Sequence, residues 1–377
     1  MTDQKICDID ALEGKELVIA LSSIFGPTGC EDRVSRAVKG VIDKYCDRTV
    51  LDRMGNLIGK ISLGNAEKRK KIMLSAHLDE VGFMIEQIND KGMLTFDTVG
   101  GIDPSVLAGK NVLVGNEEKL VRGVICSKAI HHKSKSERAE AVECDKLYID
   151  LGLSSKEEAE NWVSVGDFAT FDLSSESALF GKDKNMMRCK ALDDRMGCAA
   201  LIEIMKRLRS EMPDVDLDVY FCFTVREETG YSGAEVVANR ISPDFAFIFE
   251  STAIGDIPTA QENKRVAEVS RGAVISIADR STIYDKELID LSFNLAKRDG
   301  IPLQVKRYLS GGNDAGHIHK SGVGVRSLAI SVPTRYLHSA TCVAHYADYL
   351  SAKNIGYAVL CELGKIKIFE RLYEKHF

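Results

Sequence analysis

Apolar and polar positions change period several times along the chain, and each change predicts an element. From Asp32 to Lys44 the apolar residues Val34, Ala37, Val38, Val41 and Ile42 recur at three- and four-residue spacing, as on a helix with one buried face. A further helical segment begins near Leu12, and Phe25-Gly26-Pro27-Thr28-Gly29 breaks the period between the two. Short strands are predicted at Thr49–Leu51 and Leu57–Ile61, split by the turn Met54-Gly55-Asn56. The run Lys71 to Ala76 is apolar almost throughout after its first residue. It predicts a strand covered on both faces that delivers His77 at its end.

From Val81 to about Phe180 the pattern changes. Short β-like segments (Gly82–Ile88, Lys110–Val114, Val121–Ile125, Lys146–Asp150, Phe168–Phe171) alternate with glycine and aspartate turns. The stretch Ala129 to Cys144 holds His131-His132 and many charges, which predicts an exposed loop.

An α/β rhythm returns after Arg188. Strands are predicted at Asp216–Thr224, Phe245–Glu250, Ala273–Ile277, Leu303–Tyr308 and Val325–Val332. Helices are predicted at Cys198–Leu208, from Ala234 to Asn239, at Asp285–Asp299 and at Tyr346–Phe369. Strands alternating with helices imply an α/β fold with a mostly parallel sheet sandwiched by helices. The economical organisation is one domain made of residues 1–81 and 181–377, interrupted by a small β-barrel-like insertion at 82–180.

Composition narrows the function. The 377 residues carry a formal net charge of −6, so no basic field would draw a nucleic-acid partner. Met1 to Asp10 has no apolar signal core and no run reaches membrane-span length, which predicts a cytoplasmic chain with no membrane partner. The ten cysteines are scattered with no Cys-x-x-Cys pair. They read as small buried hydrophobes rather than zinc ligands, Cys126, Cys198 and Cys222 among them.

Four segments place acidic and imidazole groups at strand ends, where open α/β sheets hold their sites. The first is Ser75-Ala76-His77-Leu78-Asp79, in which a carboxylate two residues on could hold the tautomer of a ligating histidine; the bland alternative is a structural histidine. The second is Ala191-Leu192-Asp193-Asp194-Arg195. Adjacent carboxylates before a helix can be caps, but one can also bridge two cations while the other is held by Arg195 or backbone donors. The third, Val225-Arg226-Glu227-Glu228-Thr229-Gly230, ends a buried strand. Its glutamates are either a dipole-favoured pair at a helix start or a ligand and a general base. The fourth is Arg335-Tyr336-Leu337-His338-Ser339, after another apolar strand. With Glu250, these oxygen and nitrogen donors are enough for two divalent ions and suit zinc, cobalt or manganese.

In this order, His-x-Asp, Ala-Leu-Asp-Asp-Arg, Glu-Glu-Thr-Gly-x-x-Gly-Ala, Gly-Gly-x-Asp-Ala-Gly and Arg-Tyr-x-His-Ser resemble metallopeptidase family 42, the tetrahedral (TET) aminopeptidases, which include glutamyl aminopeptidases. Gly26-Pro27-Thr28-Gly29 and Asp52-Arg53-Met54-Gly55-Asn56-Leu57 agree, so the resemblance covers nearly the whole chain. It implies a zinc-peptidase-like fold in which the insertion is a dimerisation domain, and dimers that assemble into a hollow homo-dodecamer. It implies Asp193 as bridging ligand, His77 and Glu250 completing one metal, and Glu228 and His338 the other. Asp79 would orient His77, and the Asp193–Asp194 peptide would be cis. Glu227 would be the general base for a metal-activated water, releasing N-terminal residues from short peptides.

Three departures accompany the resemblance. Family members usually carry Asp where this chain has Glu250. After His338-Ser339 they continue Pro-x-Glu, whereas this chain reads Ala340-Thr341-Cys342, and Asn313 stands where Thr is common. His131, His132, His317, His319 and His345 match no ligand position. Two other readings use the same residues: a related dinuclear amidohydrolase (a deacylase or carboxypeptidase), or an inactive member kept as an assembly or binding protein.

Overall fold

The computed structural model describes residues 8–139, 141–173, 178–258, 261 and 265–365. Most of the Met1–Asp10 segment and the last residues of the helix expected to reach Phe369 lie outside them.

The larger body is built on an eleven-stranded mixed sheet. Its centre is parallel, in the order Leu217–Thr224, Lys70–His77, Phe245–Ala253, Arg326–Arg335. The flanks are antiparallel. Arg48–Leu51 and Leu57–Leu63 form one flank, and Cys342–His345, Met186–Cys189 and Leu179–Phe180 the other. Two further strands, Ala273–Ile275 and Leu303–Val305, branch from Arg326–Arg335. In Lys70–His77 every residue from Ile72 to His77 is buried. Alternate side chains point to opposite faces, so both faces are covered, as the unbroken apolar run implies.

The helix Leu192–Glu211 packs on the strands Lys70–His77 and Phe245–Ala253, with Gly14–Ser23, Asp32–Tyr45 and Tyr346–Lys365 as its neighbours. Asp32–Tyr45 buries Val34, Ala37, Val38, Val41 and Ile42, the stripe read from its spacing. Because the central strands run parallel, all their C-terminal ends open on one edge of the sheet, and register pairs Thr224 with His77.

The second body is a closed barrel of the strands Gly82–Ile88, Leu94–Val99, Leu147–Asp150, Leu120–Ser127, Asn111–Gly115 and Phe168–Phe171. It has a core of its own, in which Phe83 meets Phe96 and Phe171 edge to face at centroid distances of 5.0 and 5.4 Å. The strand Leu94–Val99 was not anticipated from the sequence. The stretch after Ala129 forms the short turns Ile130–His132 and Lys135–Ala139 and exposes both histidines. Every described cysteine is free; Cys198 and Cys222 are buried, whereas Cys126 is only half-buried. No described helix is long and apolar enough to cross a membrane.

Candidate metal centre

The strand ends bring the four segments together. His77 closes Lys70–His77 and is 2% exposed, Glu227 and Glu228 follow Leu217–Thr224, Glu250 lies in Phe245–Ala253, and His338 follows Arg326–Arg335. Asp193 stands at the start of Leu192–Glu211, and the Asp193–Asp194 peptide bond is cis.

Asp193 sits between the two histidines. Its Oδ1 is 3.3 Å from His77 Nε2 and its Oδ2 is 3.6 Å from His338 Nε2. Glu250 Oε1 is 3.6 Å from His77 Nε2, and Glu228 Oε1 is 3.3 Å from His338 Nε2. Two ligands each about 2.0–2.1 Å from one tetrahedral ion stand about 3.3–3.4 Å apart, a spacing that the His77–Asp193 and His338–Glu228 pairs meet and the two 3.6 Å pairs slightly exceed. Glu227 turns toward the first set, with Oε2 4.0 Å from His77 Nε2.

Asp194 also lies within reach of His77 and Glu250. Its oxygens are already engaged, however: Oδ1 accepts from the Gly197 amide at 2.9 Å and Oδ2 from the His77 amide at 3.3 Å. Backbone donors hold this carboxylate, and Arg195 does not. The Arg195 guanidinium instead donates to the carbonyls of Leu78, Leu21, Ile24 and Gly26, tying the turn after His77 to the end of the first helix.

Each histidine presents Nε2 because Nδ1 is engaged. His77 Nδ1 donates to the Asp79 carbonyl at 3.0 Å, with Asp79 Oδ1 at 3.5 Å. His338 Nδ1 donates to the Gly101 carbonyl at 2.7 Å. Asp79 is fully buried. It accepts from Thr28 Oγ1 at 2.8 Å and from the amides of Glu227 and Glu228 at 3.1 and 3.2 Å.

The electrostatics favour a cation. Burial raises the carboxyls of Glu227, Glu228 and Glu250, and neighbouring carboxylates push in the same direction. Burial also opposes charge on His338, but hydrogen bonds to Asp193 and Glu228 outweigh it and lift the imidazole to about 11. His77 is raised in the same way, mainly by Glu250 and Asp193 against its burial. Asp193 is held low although burial opposes it, because both imidazoles bond to it. Without cations the histidines thus hold protons where a metal would sit.

Sequence reasoning missed three contributors. Thr28 and Asp314 belong to motifs that assign them no role, and Gly101 acts through its backbone; Asp314 is 2% exposed and accepts from Thr224 Oγ1 at 2.7 Å. The other described histidines stay outside the centre: His317 pairs with Glu235 at 2.7 Å and His319 Nδ1 faces the Ala315 carbonyl.

Comparison with known proteins identifies the family. The sequence model described as M42 glutamyl aminopeptidase matches residues 55–355. A chain from Acetivibrio thermocellus, assigned as an aminopeptidase, is 35% identical over 346 residues, covering 92% of this chain and 98% of its own. The crystal structure of a TET aminopeptidase from a marine-sediment Thaumarchaeota archaeon is 33% identical, covers 92% of this chain and 96% of its own, and superposes with a TM-score of 0.87. The TET1 peptidase of Pyrococcus horikoshii, which can assemble into a tetrahedron or a large octahedral shell, is 33% identical over 90% of this chain and 96% of its own, with a TM-score of 0.78. With relatives spanning nearly its whole length, the chain belongs to the M42 glutamyl aminopeptidase family and is an aminopeptidase of that family.

Proposed function

We propose that the chain is a dinuclear metal-dependent aminopeptidase that releases N-terminal residues from short peptides. The observation that carries this reading is Asp193, one carboxylate facing two histidines from its two oxygens. In this reading His77 and Glu250 hold one ion, Glu228 and His338 the other, and Asp193 bridges them. The oxygen and nitrogen donor set suits zinc or cobalt, and also manganese. The ions, when bound, would supply Lewis acidity that acidifies water and polarises the scissile carbonyl.

Glu227 acts as the general base. Its Oε2 takes a proton from the attacking water and returns it to the leaving amine. In the cation-free centre, burial and the nearby carboxylates of Glu228, Asp314 and Asp193 raise its carboxyl well above the ordinary range. Bound cations would oppose that rise and favour the ionised form that accepts a proton. Asp79 positions both partners of this step, because it holds the His77 ring and the Glu227 amide. A free α-amino group would anchor beside the donor sets, which would restrict cleavage to N-terminal residues.

The assemblies of the TET relatives support a homo-oligomer of this chain. Residues 82–180 would form its dimerisation domain, and dimers would build a dodecamer in the cytoplasm that admits only short peptides. Light scattering tests the assembly. The activity is tested by stripping metal, restoring zinc, cobalt or manganese, and assaying peptides with free and N-acylated termini. Restored release from free termini alone supports the reading. Hydrolysis of acylated peptides alone would move it to a deacylase, and no activity with any metal would end it.

A further inference from the structure

The two histidines are oriented by different bodies of the molecule. His77 is buried and takes its orientation from Asp79, two residues on in the same turn. His338 sits in left-handed backbone with φ of 58°, and its side chain is 32% exposed. Its Nδ1 partner is the Gly101 carbonyl, 237 residues away in sequence, just after the barrel strand Leu94–Val99. A carbonyl can only accept, so Nδ1 must carry the hydrogen, and a neutral ring then presents a bare Nε2 to Asp193 and Glu228.

The surroundings tie this loop to both bodies. Ala340, two residues beyond His338, packs against the barrel core. Val81 and Phe171 line one small pocket together with Asp193, Glu228 and His338. Gly100 has φ of 88°, and a Cβ there would lie 2.7 Å from Val81 Cγ1 and 3.4 Å from Glu228 Cβ. Glycine is therefore required at 100 if the next carbonyl is to reach His338. At Gly101 the backbone is ordinary, and a Cβ would meet His338 Nδ1 at 3.6 Å, a normal contact.

We propose that Gly101, through its carbonyl, is a positioning residue for His338, so that the barrel governs one of the two metal positions. The proposal rests on the dinuclear reading above. Groups that orient a metal-bound histidine are typically worth about 10–100-fold in metal affinity, and here that effect falls on the His338 side alone.

The test is a calorimetric zinc titration of metal-free wild type and Gly100→Ala, with metal content measured after desalting. Wild type is expected to take up two ions. Gly100→Ala is expected to weaken one position by about 10–100-fold and leave the other unchanged. Equal weakening of both positions, or of neither, overturns the proposal while leaving the dinuclear reading intact. A wild type that binds no zinc overturns the dinuclear reading and the proposal with it. Should Gly100→Ala fail to fold, long-range proton–nitrogen spectra of zinc-loaded wild type labelled in histidine decide. The expected His338 ring keeps hydrogen on Nδ1 with zinc on Nε2, and the reverse arrangement overturns the proposal.

Discussion

Asp79 and Glu227 are joined through the backbone: Asp79 Oδ1 accepts from the Glu227 amide at 3.1 Å, and the same oxygen lies 3.5 Å from His77 Nδ1. One buried carboxylate therefore lies against both His77, a ligand in the proposed reading, and the start of the acidic pair. Asp79→Ala removes the acceptor for two buried amides, each costing about 1–3 kcal/mol when left unpaired. Zinc affinity is expected to fall by about 10–100-fold. Asp79→Asn, which keeps one acceptor oxygen, should fall between. Zinc titration alongside thermal unfolding checks both, and an unchanged affinity in Asp79→Ala would remove Asp79 from the centre.

Glu227→Gln keeps the shape of the side chain but cannot take a proton. Turnover is expected to drop by about 10²–10⁴-fold. Zinc content should stay at the wild-type value, because Glu227 belongs to neither donor set. Equal loss of metal and activity would instead make Glu227 a ligand.

Metal uptake should release protons. In the metal-free centre the His338 imidazole is raised to about 11 by Asp193 and Glu228 against its burial, so near neutral pH it is protonated. An ion must displace that proton, so apparent affinity should rise with pH and weaken as pH falls. Calorimetry in two buffers of different ionisation enthalpy measures the release. A pH-independent affinity between pH 6 and 8, roughly, would contradict it.

Glu80 ties the two bodies together beneath the centre. It pairs with Lys190 and accepts from Thr170 Oγ1 of the barrel at 2.8 Å, and all three residues are buried. Lys190→Met leaves Glu80 only the Arg195 guanidinium, 3.5 Å away, as its cation and is expected to cost up to about 3–5 kcal/mol. Adding Glu80→Gln should recover part of that loss. Urea unfolding of the metal-free protein separates this from any effect of metal. Additive losses in the double variant would refute the coupling.

The legible parts of the site mostly share one property: His77, Glu227, Glu228, Glu250 and His338 stand in or just beyond an apolar run, so periodicity located the strand and its end located the residue. Asp193, at the start of the helix Leu192–Glu211, was instead marked by its doubled carboxylate. His77 after Ile72–Ala76 and Glu227-Glu228 after Leu217–Thr224 are the clearest cases. The parts that were not legible act through backbone or through distant sequence. Gly101 contributes a carbonyl, which any residue possesses, so nothing in its identity points to His338. The choice between Arg195 and backbone donors for Asp194 likewise depended on where the 192–211 helix meets the 70–77 strand. Among the strands, Leu94–Val99 offers only Leu94 and Phe96 as buried apolar positions, and Cys342–His345 is short and built of small residues, so neither carried a strong period.

The gathering of four strand ends on one edge also sets an order in time. His77 leaves the ribosome well before His338, which follows it by more than half of the sequence. A growing chain can assemble the barrel and the first donor set, but the second stays open until His338 has been added and the strand Arg326–Arg335 has docked beside Phe245–Ala253. In the proposed reading, the nascent chain is thus an incomplete hydrolase, and the power to cut peptides arrives only once His338 has joined it.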